Sequence, residues 1–342
     1  MMMSHSLLLT FSRVAAGMWL YGLSSLGLVQ AEVLTLDNGV AKVGIGREHG
    51  AAITWLSWAG CSNNAVNLAD PGRLIQQSYY AGKSLDRTAE GQSKHWSPWS
   101  WNPIQGGGVS SWAHVNVMES QGNGMLYGET VPKLWDMPDE PATALIRQWT
   151  SFEADMPNVV RVQCELISQR ERNDRWGAAV SRSQEIPACY FNRAFDCVKT
   201  YLGDGRWEHE NLNSGPPWNR RLPPRKAMAF FNASGQGVAL FSPAATNNWN
   251  CGPCGEEGDF NSAAKPCMHL AATARVRLGP KSDYRYCYWL VVGNEKQIAS
   301  RLEVLWQKYS GERAQLSDTI NSAERTTSKV AATSLAVDQA LK

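Results

Sequence analysis

The chain has 342 residues, with 33 Lys and Arg against 31 Asp and Glu, a formal net charge of +2, and 15 tryptophans. So balanced a charge, with no block of one sign, lacks the basic footprint that nucleic acid requires, and no nucleic-acid partner is expected. A large neutral or modestly charged partner fits better, and the length is ample for a substantial core in one large β domain or two smaller ones.

Residues 1–31 read as a leader. "RVAAGMWLYGLSSLGLVQA" is a positive charge, an apolar stretch and a small-residue cleavage site, with Val29 and Ala31 before the cut and Glu32 as the mature N-terminus. Gly17, Gly22, Ser24, Ser25 and Gly27 interrupt the apolar part, which is short for a span of about 20 residues. A secreted or periplasmic location is therefore expected, and a stable membrane span is not.

From Glu32 onward the pattern is short apolar runs between turn residues. "EVLTLDNGVAKVGIG" predicts two strands around an Asp-Asn-Gly turn. "SSWAHVNVMES", "ALIRQWTSFEA", "NVVRVQCELISQR", "LAATARVRLGP" and "DYRYCYWLVVG" alternate or are rich in β-branched and aromatic residues. "FFNASGQGVALF" predicts a hairpin with its tip at Ser234 to Gly237; Asn232 also begins a glycosylation sequon, though an ordinary turn asparagine is the favoured reading. One stretch differs: "NEKQIASRLEVLWQKYSG" sets Ile298, Leu302, Leu305, Trp306 and Tyr309 on one helical face, with Asn294 to cap the start and Gly311 the end. No fixed repeat suggests a propeller or solenoid. The expected fold is all-β and mainly antiparallel, a large β-sandwich over residues 32–311 with a barrel as the alternative. Long loops fall at roughly 60 to 107 and 203 to 225, one C-terminal helix lies on the sheets, and 312–342 form a flexible or helical tail.

All eight cysteines, Cys61, Cys164, Cys189, Cys197, Cys251, Cys254, Cys267 and Cys287, follow the proposed cut, and an even count in an exported chain suggests disulfides. The alternative is a structural zinc on Cys251, Cys254, Cys267 and His269. No nucleophile elbow, phosphate-gripping glycine loop or dinucleotide fingerprint is present, and no cofactor is expected.

The chemistry concentrates in the first long loop. "DPGRLIQQSYYAG" and "KHWSPWSWNPIQGG" collect Arg73, Gln76, Gln77, Tyr79, Tyr80, His95, Trp96, Trp99, Trp101, Asn102 and Gln105. Flat aromatic faces and neutral hydrogen-bonding groups are what a sugar needs, since each ring has an apolar C–H face and a rim of hydroxyls that must be satisfied when water leaves. A second group supplies Glu129, Trp135, Asp136, Asp139, Glu140, Gln184 and Glu185. Glu185 runs into apolar "IPACY", where burial would raise its pKa and suit it to proton transfer; an ion pair with Arg182 or Arg73 explains it equally well. Glu208, His209 and Glu210 read as an exposed loop. His95, set among tryptophans, is the candidate histidine for acid–base work.

A leader, early strands in "LDNGVAKVGIGREHGAAITWLS", an aromatic loop and late strands in "GVALFSP" and "YRYCYWLVVG" resemble secreted carbohydrate-active proteins with the galactose-mutarotase-like supersandwich, the β-sandwich of aldose epimerases and several polysaccharide lyases and hydrolases. The epimerases' paired histidines and glutamate find no residue-by-residue match. The resemblance to the sandwich-type lyases implies a tyrosine or histidine that removes the proton beside a uronate carboxylate, with Asn, Gln or Arg neutralising that carboxylate.

The expectation is an exported polysaccharide-degrading enzyme, foremost a β-eliminating lyase on a uronate-containing glycan. His95 or Tyr80 would be base and acid, Arg73, Asn102 and Gln105 would stabilise the enediolate, and Gln77, Trp99, Trp101 and Trp135 would bind sugar. A glycoside hydrolase pairing Glu185 with Glu129, Asp136 or Glu208 is the alternative, as is a non-catalytic glycan-binding envelope protein.

Overall fold

A computed structural model describes residues 32–68, 71–109, 111–255 and 266–317, all within the compact unit Ala31–Lys342. The leader expected at residues 1–31 lies outside the described residues, as does most of the expected tail, residues 318–342.

The Asp-Asn-Gly turn forms as expected: β1 (Val33–Asp37) and β2 (Ala41–Gly46) pair antiparallel across it, and β3 (Ile53–Trp58) completes a three-stranded sheet. Gly39, with φ of 79°, takes the left-handed position at the tip. The stretch expected as one long loop contains strands β4 (Gln76–Ser78), β5 (Ala81–Leu85), β6 (Trp99–Trp101) and β7 (Pro103–Ile104). Next come β8 (His114–Gln121), β9 (Met125–Val131), β10 (Lys133–Leu134), β11 (Ala144–Glu153), β12 (Met156–Ser168) and β13 (Ser181–Asn192). The second expected loop likewise holds β15 (Arg206–His209), after β14 (Cys197–Gly203), and β16 (Asn219–Arg221). The chain closes with β17 (Ala227–Phe231), β18 (Gln236–Phe241), β19 (Trp249–Cys254), β20 (Cys267–Arg277), β21 (Asp283–Asn294), α1 (Glu295–Tyr309) and β22 (Gln315–Ser317).

Two large antiparallel sheets make the sandwich. One has seven strands in the order β10-β7-β4-β13-β20-β19-β16; the other runs β15-β14-β17-β18-β21-β12-β11-β9-β8, with β22 paired to β21. Their inner faces supply one core by period-two alternation. Ile186, Cys189, Phe191, Met268, Leu270 and Ala272 come from the smaller sheet, and Val160, Val162, Leu166, Phe230, Leu240 and Tyr288 from the larger. The larger sheet is buried on its outer face too, because Ile298, Leu302 and Leu305 of α1 press onto Ala229, Phe241, Trp289 and Val291. Asn294 caps α1 in a reciprocal capping box with Gln297. Glu153, accepting from Trp289, Lys308 and Tyr309, ties the end of the helix to the sheet.

No two described sulfurs stand at the about 2.05 Å of a disulfide bond; the Cys254 and Cys267 sulfurs face each other at 2.9 Å. The zinc alternative does not assemble either. Cys251 points into the core with Leu270 and Met268, His269 is held between two rings, and no metal-binding cluster occurs among the described residues. No described helix is long and apolar enough to cross a membrane.

Candidate functional site

Among the described residues the α-helix packs on the larger sheet, and a cavity of about 360 Å³ lies on the outer face of the seven-stranded sheet, within the roughly 300–1,000 Å³ of small-ligand sites. Alternation decides which side chains reach it. Along β4 and the residues after it Gln76, Ser78 and Tyr80 face the cavity, while Gln77 and Tyr79 turn inward; from β20 and β19 Thr273 and Asn250 face out. β13 contributes Ser183, Glu185, Ala188 and Tyr190.

One wall is aromatic. The Trp96 ring meets Trp99 at 5.2 Å and Trp135 at 5.5 Å, both edge to face, and Tyr80 meets Trp99 at 6.1 Å. Apart from Trp99, which opens β6, loops carry these rings, yet the loops are fastened. Ser93 donates from its backbone and hydroxyl to Asp136 at 2.8 and 2.6 Å, and the Arg87 guanidinium, 2% exposed, pairs with Glu90 and Glu140 while lying over Trp176. Trp99 Nε1 donates to Asn102, whose amide in turn donates to the Tyr79 carbonyl at 2.7 Å. Gly72 is required beneath Trp135, because a β-carbon there would come within 2.2 Å of the indole. The opposite wall is Pro216, Pro217 and Trp218. Trp218 Nε1 donates to the Pro253 carbonyl at 3.0 Å, and its ring lies 4.2 Å from that of His269.

Glu185 is the one carboxylate among the described residues lining the cavity. Burial pushes its pKa up, and hydrogen-bonding interactions from the Ser78 and Tyr80 hydroxyls offset part of that. Among the described residues no cation is a cause of that shift, and Arg182 donates instead to the Gly82 carbonyl at 3.1 and 2.9 Å. Burial, and then the charge of Glu185, drive the Tyr80 phenol well above its ordinary value, so Tyr80 stays protonated. A carboxylate of raised basicity beside a phenol that keeps its proton can take a proton from one atom and give one to another. Arg220 lines the same cavity and pairs with no carboxylate among the described residues.

The residues singled out from sequence divide. Tyr80, Glu185, Trp99, Asn102 and Trp135 line the cavity together. His95 does not: it is exposed and off the lining, edge-on to Trp96 with ring centroids 5.0 Å apart. Trp101 is 1% exposed, sealed in the core rather than presented to a ligand; it pairs with Ala81 on the far side of a register shift in the β5–β6 pairing from Trp99. Gln77 also points inward, bonded to Tyr79 and the Arg147 carbonyl. Gln105 is buried against the Gln77 backbone, and Arg73 lies buried and off the lining. The proposed carboxylate partners are elsewhere: Glu129 pairs with Arg147 on the larger sheet, Asp136 holds Ser93, and Glu208 pairs with Arg221. Sequence reading missed Ser78, Tyr190, Trp218, Arg220, Asn250 and Thr273. The signal for Trp218 was "GPPW", where prolines limit how far the indole can wander.

No protein-family model matches the sequence, and no curated protein sequence matches it. Solved structures give loose likenesses. A protein of Escherichia coli K12 under the description aldose 1-epimerase superposes with a TM-score of 0.47 at 8% identity, over 78% of this chain and 100% of that one. Heparan sulfate lyase HepC of Pedobacter heparinus gives 0.38 at 9% identity, over 77% of this chain and 35% of that one. An alpha-mannosidase of Enterococcus faecalis V583 gives 0.45 at 9% identity, over 86% of this chain and 32% of that one. Each is below a TM-score of 0.5, and none assigns a residue of the cleft.

Proposed function

We propose that the cleft binds a uronate-containing glycan and cleaves it by β-elimination. The observation that carries this reading is the Glu185–Tyr80 pair at the foot of a wall of indoles, with Arg220, which has no carboxylate partner among the described residues, in the same cavity. The indoles take the apolar faces of sugar rings. Arg220 donates to the uronate carboxylate and holds the charge that spreads onto it as the adjacent C–H bond breaks.

Ionised Glu185 removes the proton at C5. The C–H electron pair becomes the C4=C5 double bond, the C4–O bond breaks, and Tyr80 gives its proton to the departing oxygen. Glu185 is then protonated and Tyr80 ionised, and transfer between the two neighbours restores both. Paired-carboxylate hydrolysis is less well supported, because no second carboxylate lines the cavity among the described residues. A polymeric glycan is met outside the cytoplasm, so the reading includes export with cleavage before Glu32; N-terminal sequencing of protein recovered from the medium or the periplasm checks that.

The test is a panel of uronate and neutral polysaccharides assayed for unsaturated-uronate absorbance and for new reducing ends. Unsaturated product that disappears in Glu185→Gln and Tyr80→Phe, each by about 10²–10⁴-fold, is expected. Reducing ends without unsaturation would replace the proposal with hydrolysis, and retention of a polysaccharide without either product would leave a binding protein.

A further inference from the structure

A second cavity of about 190 Å³ lies against the first, lined by Tyr80, Ser84, Pro98, Trp99, Ser100, Arg182 and Ser183. Tyr80, Trp99 and Ser183 line both. The Trp99 indole and the Tyr80 ring are therefore a ridge with space on each side, and the acid of the proposed reaction stands on it.

Arg182 faces this second space. Arg87, Arg147, Arg170, Arg221 and Arg285 all pair with carboxylates. Arg182 instead uses Nε and Nη2 to grip the Gly82 carbonyl, with Nη2 also reaching Ser84 Oγ at 3.2 Å, and has no carboxylate partner among the described residues. Two neutral acceptors fix the orientation of the guanidinium without cancelling its charge. A cation held this way has already lost the side-chain freedom that binding an anion would otherwise cost.

We infer that the two cavities are consecutive subsites of one glycan path, with the bond to be broken over the Tyr80–Trp99 ridge and Arg182 recognising an anionic group on the sugar beyond it. Arg220 and Arg182 then meet negative groups on opposite sides of the ridge, and a chain charged along its length is selected over a neutral one. This deepens the reading above and rests on it. The group is a uronate carboxylate or a sulfate ester, both of which a guanidinium binds through paired hydrogen bonds.

The experiment measures kcat/KM by unsaturated-product formation, and affinity by calorimetry, for oligouronides of increasing length and for sulfated neutral oligosaccharides. Wild type, Arg182→Met and Arg182→Lys are compared. The expected result is that Arg182→Met weakens chains long enough to cross the ridge by about tenfold or more, with the loss in KM and a smaller loss for shorter chains. Arg182→Lys should recover part of it. Dependence confined to the sulfated series identifies sulfate as the group; dependence in the unsulfated series identifies the carboxylate. An equal loss at every length, or none, in a wild-type protein that cleaves overturns the inference and leaves the reaction standing. Oligouronide binding without cleavage overturns the reaction, and the length series read by calorimetry still decides the subsite. Binding of no anionic oligosaccharide overturns both.

Discussion

His269 should make the cleft acid-sensitive at a pH where most proteins of this size are comfortable. The ring is fully buried between Tyr190 at 4.5 Å and Trp218 at 4.2 Å. Neither nitrogen makes a hydrogen bond of good geometry. Burial first, and the neighbouring Arg73 charge second, lower its pKa from 6.5 to about 3, with the Cys189 backbone offsetting little. A depressed histidine pKa means that the unfolded chain takes up a proton which the folded chain refuses. Stability is therefore intact above 6.5 and falls as pH drops toward the folded value. Between about pH 7.5 and pH 5 the linkage integral is about 2 kcal/mol, a sizeable share of a marginal total. The assay is urea unfolding followed by tryptophan fluorescence at both pH values, on wild type and His269→Phe, which keeps a flat ring in the stack and removes the titration. Wild type should lose about 2 kcal/mol more than the variant. Equal losses in the two proteins would refute the reasoning, because other groups titrate identically in both.

Glu185 has the opposite sign: its raised pKa favours the neutral form in the folded state, so the fold loses stability as pH climbs above 4.5, and Glu185→Gln should melt higher than wild type at neutral pH but not well below 4.5. The same shift places the acid limb of the activity profile above the ordinary carboxylate range, and a limb at an unshifted carboxylate value would argue for another base. Arg87→Met, which unties the buried end of the aromatic wall, should cost roughly 1–3 kcal/mol in chemical denaturation and weaken retention by a polysaccharide gel. Trp99→Ala should abolish that retention with little effect on unfolding, whereas Trp101→Ala should cost about 3–5 kcal/mol as a core truncation.

Strand alternation, the Asn-Gly hairpin and the capped helix were legible because each is a local pattern with a local cause. The irregularity of a short strand was not. Trp99 and Trp101 look equivalent in "WSPWSW", and their two-residue spacing would put both on one face of a regular strand; they part because the pairing of β6 with β5 shifts register between Ala81 and Leu85, which partners distant in sequence set. Trp99 turned out to be held by Asn102 at the cleft, and Trp101 to lie beneath it. His95 lies off the cleft lining, since proximity in sequence to tryptophans says nothing about which side of them a ring will occupy. The long-loop expectation failed because two- and three-residue strands such as β4 and β7 are too short to show alternation, although they hold the cleft floor in register.

Pro187 sets the course of β13 across the cleft. In β13 the pairing with β20 and β4 jumps between Glu185 and Ala188, so Ile186 and Pro187 form a bulge, the position at which a proline is tolerated inside a sheet. The bulge reverses parity along the strand. Before it, Ser183 and Glu185 face the cleft; after it, Ala188 and Tyr190 do, and Cys189 and Phe191 enter the core. An unbroken strand carrying Glu185 to the cleft would send Tyr190 inward and Phe191 outward, and the ring that supports His269, and through it Trp218, would be lost from the far wall. The irregularity thus lets a single strand place a proton-transfer carboxylate on one side and still anchor the opposite wall of the same cleft.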